Sequence, residues 1–219
     1  MKYGESAFDL CYLLFALLSG AWLIARARTR TERRMGLAAL ILGGGDAFHL
    51  VPRVLNYFVA ADFTAALGIG KLITSLTMTV FYVLMYRVWL GYYGVSPDKR
   101  VSRAILLLAA LRLLVCLFPQ NGWLRNESGA LWGVLRNVPF VALGAIIVAL
   151  YHRRRAEARR FRRVWLYVAL SFLFYIPVAV GAGAVPMLGM LMLPKTVCYI
   201  LLIATFLLAV AKDAPRRDD

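Results

Sequence analysis

The chain has 219 residues, of which 62% are hydrophobic, and its formal net charge is +15 at pH 7. Ordinary soluble domains contain roughly 45 to 50% apolar residues, so this composition argues against a soluble domain and indicates a membrane protein. The three cysteines lie in apolar runs without CxxC spacing, which argues against a disulfide framework and against a zinc site.

Seven apolar runs follow one another along the chain, each near the length of about 20 residues that crosses a bilayer core. They span residues 7–25, 36–58, 66–93, 102–118, 129–151, 163–182 and 186–210. The last two are separated only by the Gly/Ala stretch 181–184, the least distinct boundary. The first run lacks a signal-peptide cleavage pattern and is expected to remain as a helix. The sequence therefore predicts an all-α polytopic membrane protein, with residues 1–211 as one seven-helix transmembrane domain and 212–219 as a short cytoplasmic tail.

Lys and Arg are concentrated in alternate loops. RARTRTERR follows the first run, SPDKRVSR the third and HRRRAEARRFRR the fifth, and KDAPRRDD forms the tail. Short loops rich in Lys and Arg stay in the cytoplasm, which predicts an external N-terminus and a cytoplasmic C-terminus. The net charge then reflects topology and attraction to membrane lipids, and nucleic acid is not predicted as a partner. The compact loops favour a multi-pass protein of a bacterial inner membrane.

A faint internal repeat relates helices one to three to helices five to seven. Three pairs recur at an offset of 124 or 125 residues: Arg28 with Arg153, Pro52 with Pro177, and Lys71 with Lys195. Both triplets start on the same side, so the repeat would be parallel, with helix four as the inverting connector. In arrangement this 3+1+3 order resembles the SWEET sugar transporters, and a likeness of arrangement does not by itself imply a function.

The second run contains GGGDAFHLVPR, in which Asp46, His49 and Arg53 are three and four residues apart. This spacing places the three side chains on one helix face, from the bilayer midplane toward the external surface. Ionisable residues at this depth are costly and normally face a bundle interior or a water-filled cavity.

Other predicted helices place polar and charged residues in the same outer slab. They are Lys71, Arg112, Arg136 beside Asn137, Tyr175, Lys195 and Tyr199. Five helices with charges at comparable depth predict one shared cavity. Prolines 52, 139, 177 and 194 lie in or beside this slab, as in transporters that build binding sites from interrupted helices.

The predicted cavity contains more cations than acids. Arg53, Lys71, Arg112, Arg136 and Lys195 face Asp46, with Glu5 and Asp9 near its mouth. An excess of fixed cations in a low-dielectric cleft predicts an anionic guest, and carboxylate or phosphate suits the arginines. Asp46 is expected to hold His49 or a neighbouring cation. We therefore predict binding, and transport, of a small anionic solute or anionic lipid headgroup through an outward-facing cationic cavity.

Three alternatives remain open. Asp46 and His49 could centre an intramembrane enzyme, although two histidines are too few for a three-ligand zinc site and no catalytic residue, metal or cofactor is predicted. Seven helices with Lys195 in the last resemble a rhodopsin, which implies a receptor or sensor, although that lysine could instead pair with Asp46. Finally, the polar faces could join a homo-oligomer or a partner membrane subunit.

Overall fold

A computed structural model describes residues 2–181 and 185–212. All regular elements in these two segments are helical. The α-helices are α1 Lys2–Arg26, α2 Arg30–Phe58, α3 Thr64–Tyr92, α4 Lys99–Leu117, α5 Ala130–Arg153, α6 Val164–Gly181 and α7 Met192–Lys212. Short 3₁₀ turns occupy Pro119–Asn121, Trp123–Arg125, Phe161–Arg163 and Pro186–Leu191.

The helices have the length and composition of membrane spans. Six of those in the described segments are long and apolar enough to cross a bilayer. The region of α4 meets the same test only together with Pro119–Arg125, at a bend of 74°. The chain is therefore an all-helical, multi-pass membrane protein with six or seven spans.

The observed helices follow the predicted runs, with differences at their ends. α2 starts at Arg30, six residues before the predicted apolar run, because Thr29 and Glu32 form a capping box that extends the helix into the charged loop. The predicted seventh helix starts with a 3₁₀ turn, and its α-helical part begins at Met192. Residues 182–184, at the least distinct boundary, and the tail residues 213–219 lie outside the described residues.

The helices form a closed ring in chain order. Each helix packs against the next, α3 also contacts α5, and α7 returns to pack against α1 and α2. The interior is filled by aromatic side chains, with Tyr82 in contact with Phe81, Phe140 and Phe172. In both predicted triplets the middle helix packs on its two neighbours, an arrangement compatible with the repeat, which stays a prediction.

Successive helices run in opposite directions, so the bundle has two distinct ends. The basic end carries the loops between α1 and α2, α3 and α4, and α5 and α6. There the Tyr151 hydroxyl donates to the Met85 carbonyl at 2.9 Å, and Arg160 donates to the Ala209 carbonyl at 3.1 Å. The polar end carries the α2–α3 and α4–α5 loops and the start of α1. Most of the predicted site residues lie in the half of the bundle toward this polar end.

Close helix contacts position the charged stretch of α2 against α3. A Cβ atom at Gly70 of α3 would lie 2.1 Å from the Phe48 carbonyl oxygen and 2.7 Å from the His49 Cα. A Cβ atom at Gly45 of α2 would lie 1.9 Å from the Thr77 hydroxyl. Small residues at such contacts let helix backbones approach in a membrane. The backbone of Asp46 and His49 is therefore held directly against α3.

Candidate functional site

Asp46 and Lys195 form the centre of the polar network. The Tyr12 hydroxyl donates to Asp46 Oδ2 at 2.7 Å. Lys195 is only 7% exposed and interacts electrostatically with Asp46, at a distance greater than the 4.0 Å of a direct ion pair. Its Nζ lies 5.0 Å from the Tyr175 ring centroid and 5.4 Å from that of Tyr199. A carboxylate and two aromatic faces thus stabilise the ammonium charge inside the bundle.

His49 has different neighbours from Asp46, although the two share a helix face in the prediction. Its imidazole lies near the backbone of Leu67 and in the field of Lys71 and Arg53. Its buried Nδ1 has no hydrogen-bond partner among the described residues. The 60° between positions i and i+3 turns His49 toward α3 and Asp46 toward α1 and α7. The sequence predicts that Asp46 interacts with His49 or with a neighbouring cation. In the structure Asp46 interacts electrostatically with the neighbouring cation Lys195.

Arg53 is engaged by the acidic face of α1. Its guanidinium forms an ion pair with Glu5, and the Tyr57 hydroxyl donates to the second Glu5 oxygen at 3.1 Å. Asp9 is only 4% exposed and lies in the field of both Arg53 and Asp46. The sequence predicts that Arg53 faces a ligand. In the structure its charge is compensated by Glu5, and ligand binding by Arg53 stays a prediction.

Arg136 and Lys71 are two further cations, and neither forms an ion pair with a described carboxylate. Arg136 donates to the Asn121 side-chain oxygen at 3.1 Å and to the Ser128 hydroxyl at 2.6 Å, and its guanidinium lies 4.8 Å from the Trp123 ring centroid. These partners are neutral. Lys71 is exposed on α3 and lies in the repulsive field of Arg136. Two cations from neighbouring helices therefore face each other at the polar end.

Arg112 is the most deeply buried cation of the network. Its side chain is 2% exposed, and its guanidinium carbon lies 3.2 Å from the Phe140 ring centroid. Its Nε and Nη1 atoms are buried without hydrogen-bond partners in the described segments. Lys195 and Cys116 lie within its electrostatic reach, and Arg136 also interacts with Cys116. Arg112 thus connects the central pair with the cations at the polar end.

The remaining predicted residues link these groups. The Tyr175 hydroxyl donates to the Asn137 side-chain oxygen at 2.7 Å, which joins α6 to α5. Tyr199 is 3% exposed and packs edge-on against Phe81 at 6.1 Å between ring centroids. Hydrogen bonds, ring contacts and longer-range electrostatic interactions thus relate all ten predicted site residues: Asp46, His49, Arg53, Lys71, Arg112, Arg136, Asn137, Tyr175, Lys195 and Tyr199.

The charges of this network do not balance. Glu5 lies on Arg53 and Asp46 lies near Lys195, and Asp9 is close to both acids and to Arg53. Lys71, Arg112 and Arg136 have no carboxylate within 4.0 Å in the described part of the chain. We call these three residues the cationic cluster.

Several residues of the network were not predicted. They include Tyr12, Asn121, Trp123 and Phe140. Tyr12 follows Asp9 by three positions on the buried face of α1, a spacing that could have identified it. Asn121 and Trp123 come from a loop with turn composition, where the Asn-Gly pair predicts a turn but not which side chains point into the bundle.

The cluster also differs from a metal centre. Among the described residues, no three His, Cys, Asp or Glu side chains are grouped so that they could hold a metal ion. Comparisons with protein-family models, with curated proteins and with solved structures found no match.

Proposed function

We propose that this protein binds a small anionic solute or an anionic lipid headgroup at the cationic cluster, and that it transports this ligand. The proposal includes seven spans, an external N-terminus and a bacterial inner membrane. The basic loops all lie at one end of the bundle, and short loops rich in Lys and Arg stay in the cytoplasm. The polar end would then face outward. The observation that supports the proposal is that three cations, contributed by α3, α4 and α5, have no carboxylate partner among residues 2–181 and 185–212.

A buried charge without a counterion is unfavourable by several kcal/mol, even after local relaxation. Arg112 combines 2% exposure with two guanidinium nitrogens that have no acceptor among the described residues, which favours an acceptor from a bound anion. An anion would supply the missing charge and the missing acceptors. Guanidinium groups recognise carboxylate or phosphate in a two-pronged geometry, and two arginines with one lysine can surround such a group.

The position of each cation suggests a sequence of contacts. Lys71 is exposed at the polar end and would meet an incoming anion first. Arg136 is half-buried and held in place by Asn121 and Ser128. Arg112 lies deepest, beside Lys195 and its partner Asp46. The anion would move along a path of increasing burial, and the central pair would form the inner boundary of the site.

Binding and transport can be tested separately with inorganic phosphate and succinate as probes. Protein in nanodiscs should be stabilised against heat by at least one probe, and proteoliposomes should take up the same radiolabelled probe. Lys71→Gln and Arg136→Gln should remove both effects. Arg100→Gln is the matched control, because Arg100 is an exposed cation in the first turn of α4.

The outcomes discriminate the alternatives. Binding without uptake would support a receptor, and conversion of the probe would support an enzyme. If neither probe binds wild-type protein, or if the Lys71 and Arg136 variants bind like wild type, the proposed site is wrong.

A further inference from the structure

A recess lies away from the cationic cluster, on the outer surface between α5 and α6. This groove has a volume of about 310 Å³. Small side chains on one face of α5 leave it open, and larger side chains of α6 form its other wall. Its lining includes Val141, Ala145, Ala149, His152, Trp165 and Phe172.

The groove has the dimensions of a lipid chain in one leaflet. It follows α5 from Val141 to His152, twelve residues whose eleven helical steps give a length of about 16 Å. The bilayer core is about 30 Å thick, so the groove spans about half of it. Ala145 and Ala149 are exposed, which leaves their part of the wall open to the surrounding chains.

A basic recess adjoins the groove at the basic end of the bundle. This recess of about 490 Å³ is lined by Arg155, Ala156, Arg159 and Arg162. Arg155 donates to the His152 carbonyl at 2.9 Å, and His152 packs edge-on against Trp165 at 4.7 Å between ring centroids. One end of the apolar groove is therefore in direct contact with the basic recess.

The recess is strongly positive. Seven arginines and one glutamate lie between residues 153 and 163, and Glu157 pairs with Arg154 at 2.7 Å, outside the lining of the recess. Arg155, Arg159 and Arg162 are all exposed. Arginine forks suit phosphate oxygens, and Trp residues occupy the headgroup level of membranes.

We propose that the α5–α6 groove and the basic recess together bind one anionic phospholipid, with an acyl chain in the groove and the phosphate among Arg155, Arg159 and Arg162. Charge and apolar surface are arranged in the order in which a phospholipid presents them. The site lies at the opposite end from the cationic cluster, so it does not depend on the function proposed there. Its occupant would be a structural or regulatory lipid of the leaflet that borders the basic loops.

Native mass spectrometry can test this site, with protein reconstituted with dioleoylphosphatidylglycerol and dioleoylphosphatidylcholine. Wild-type protein should retain phosphatidylglycerol in preference to phosphatidylcholine. The combined change Arg155→Gln, Arg159→Gln and Arg162→Gln should weaken its retention roughly a hundredfold, since each cation near a lipid surface contributes roughly fivefold. The combined change Lys99→Gln, Arg100→Gln and Arg103→Gln removes three exposed cations at the same end and should leave retention unchanged.

A neutral change tests the groove. Ala149→Trp, or Ala145→Phe if the first variant does not fold, should weaken phosphatidylglycerol retention without any change of charge, and inorganic phosphate should not displace the lipid. Equal loss of lipid from both arginine and control triple variants would overturn the proposal in favour of general surface charge. Wild-type retention after the groove is filled, or no preference over phosphatidylcholine, would overturn it as well.

Discussion

At the scale of single residues, the charges of half-buried Asp46 and buried Lys195 depend on each other. Tyr12 supports the carboxylate, whereas Tyr175 and Tyr199 support the ammonium group. Removal of one member leaves the other charge uncompensated inside the bundle, which destabilises proteins by about 3 to 5 kcal/mol.

Asp46→Asn and Lys195→Met should each lower the free energy of unfolding by about that amount, but the double variant should lose less than the sum, by about 1 to 3 kcal/mol. Detergent-based thermal unfolding of the four proteins measures this coupling. Thr196→Val is a suitable control, because its hydroxyl donates within its own helix to the Met192 carbonyl at 2.9 Å. Additive effects of Asp46→Asn and Lys195→Met would show that the two charges are independent.

At the scale of elements, α2 and α3 depend on close backbone contact. The carbonyl oxygen of Phe48 occupies the space where a side chain at Gly70 would begin. Gly70→Ala should therefore separate the helices and lower the free energy of unfolding by about 1 to 3 kcal/mol. Gly44 lies on α2, the helix that carries Phe48, and a Cβ there would meet no described atom of a neighbouring helix within 4 Å. Gly44→Ala is therefore the matched control, and it should leave stability unchanged or raise it slightly.

Thermal unfolding and probe binding should respond together in the Gly70→Ala variant, because the contact also positions His49. Equal melting temperatures for the Gly70→Ala and Gly44→Ala variants would contradict the close packing of α2 on α3.

The elements themselves were largely predictable, since apolar runs of membrane length have few alternatives to a helix. The residues at which the helices end were less predictable. The 3₁₀ turn at Pro186–Leu191 lies in a stretch whose apolar composition does not distinguish 3₁₀ from α-helical turns. The bend after Leu117 lies in a stretch whose composition predicts a turn but not the angle between the two segments. The contacts of Asn121 could not be predicted either, because they depend on the bend. Its side-chain amide donates to the Val115 carbonyl at 2.7 Å, and its side-chain oxygen accepts from Arg136.

At the scale of the whole molecule, the ring of helices determines which predicted residues meet. Helical periodicity identified Lys195 and Asp46 as interior residues, but closure of α7 onto α1 and α2 brings them near each other. The sequence predicted the excess of cations but not how the acids are distributed among them. The ion pair of Arg53 with Glu5 depends on the packing of α1 against α2, and with Glu5 so engaged no described carboxylate pairs with Lys71, Arg112 or Arg136.

If Lys71, Arg112 and Arg136 bind an anion, native mass spectrometry of the purified protein should detect it. Wild-type protein should retain a phosphorylated or carboxylated molecule, identified after its release, which is lost when Arg112→Met and Arg136→Gln are combined. In the absence of any anion, Arg112→Met should be at least as stable as wild type, because an apolar side chain replaces an uncompensated buried charge. The opposite result would be wild-type protein that retains no anion and an Arg112→Met variant that loses much of its stability. It would show that the cations form a structural network and would contradict anion binding at the cationic cluster.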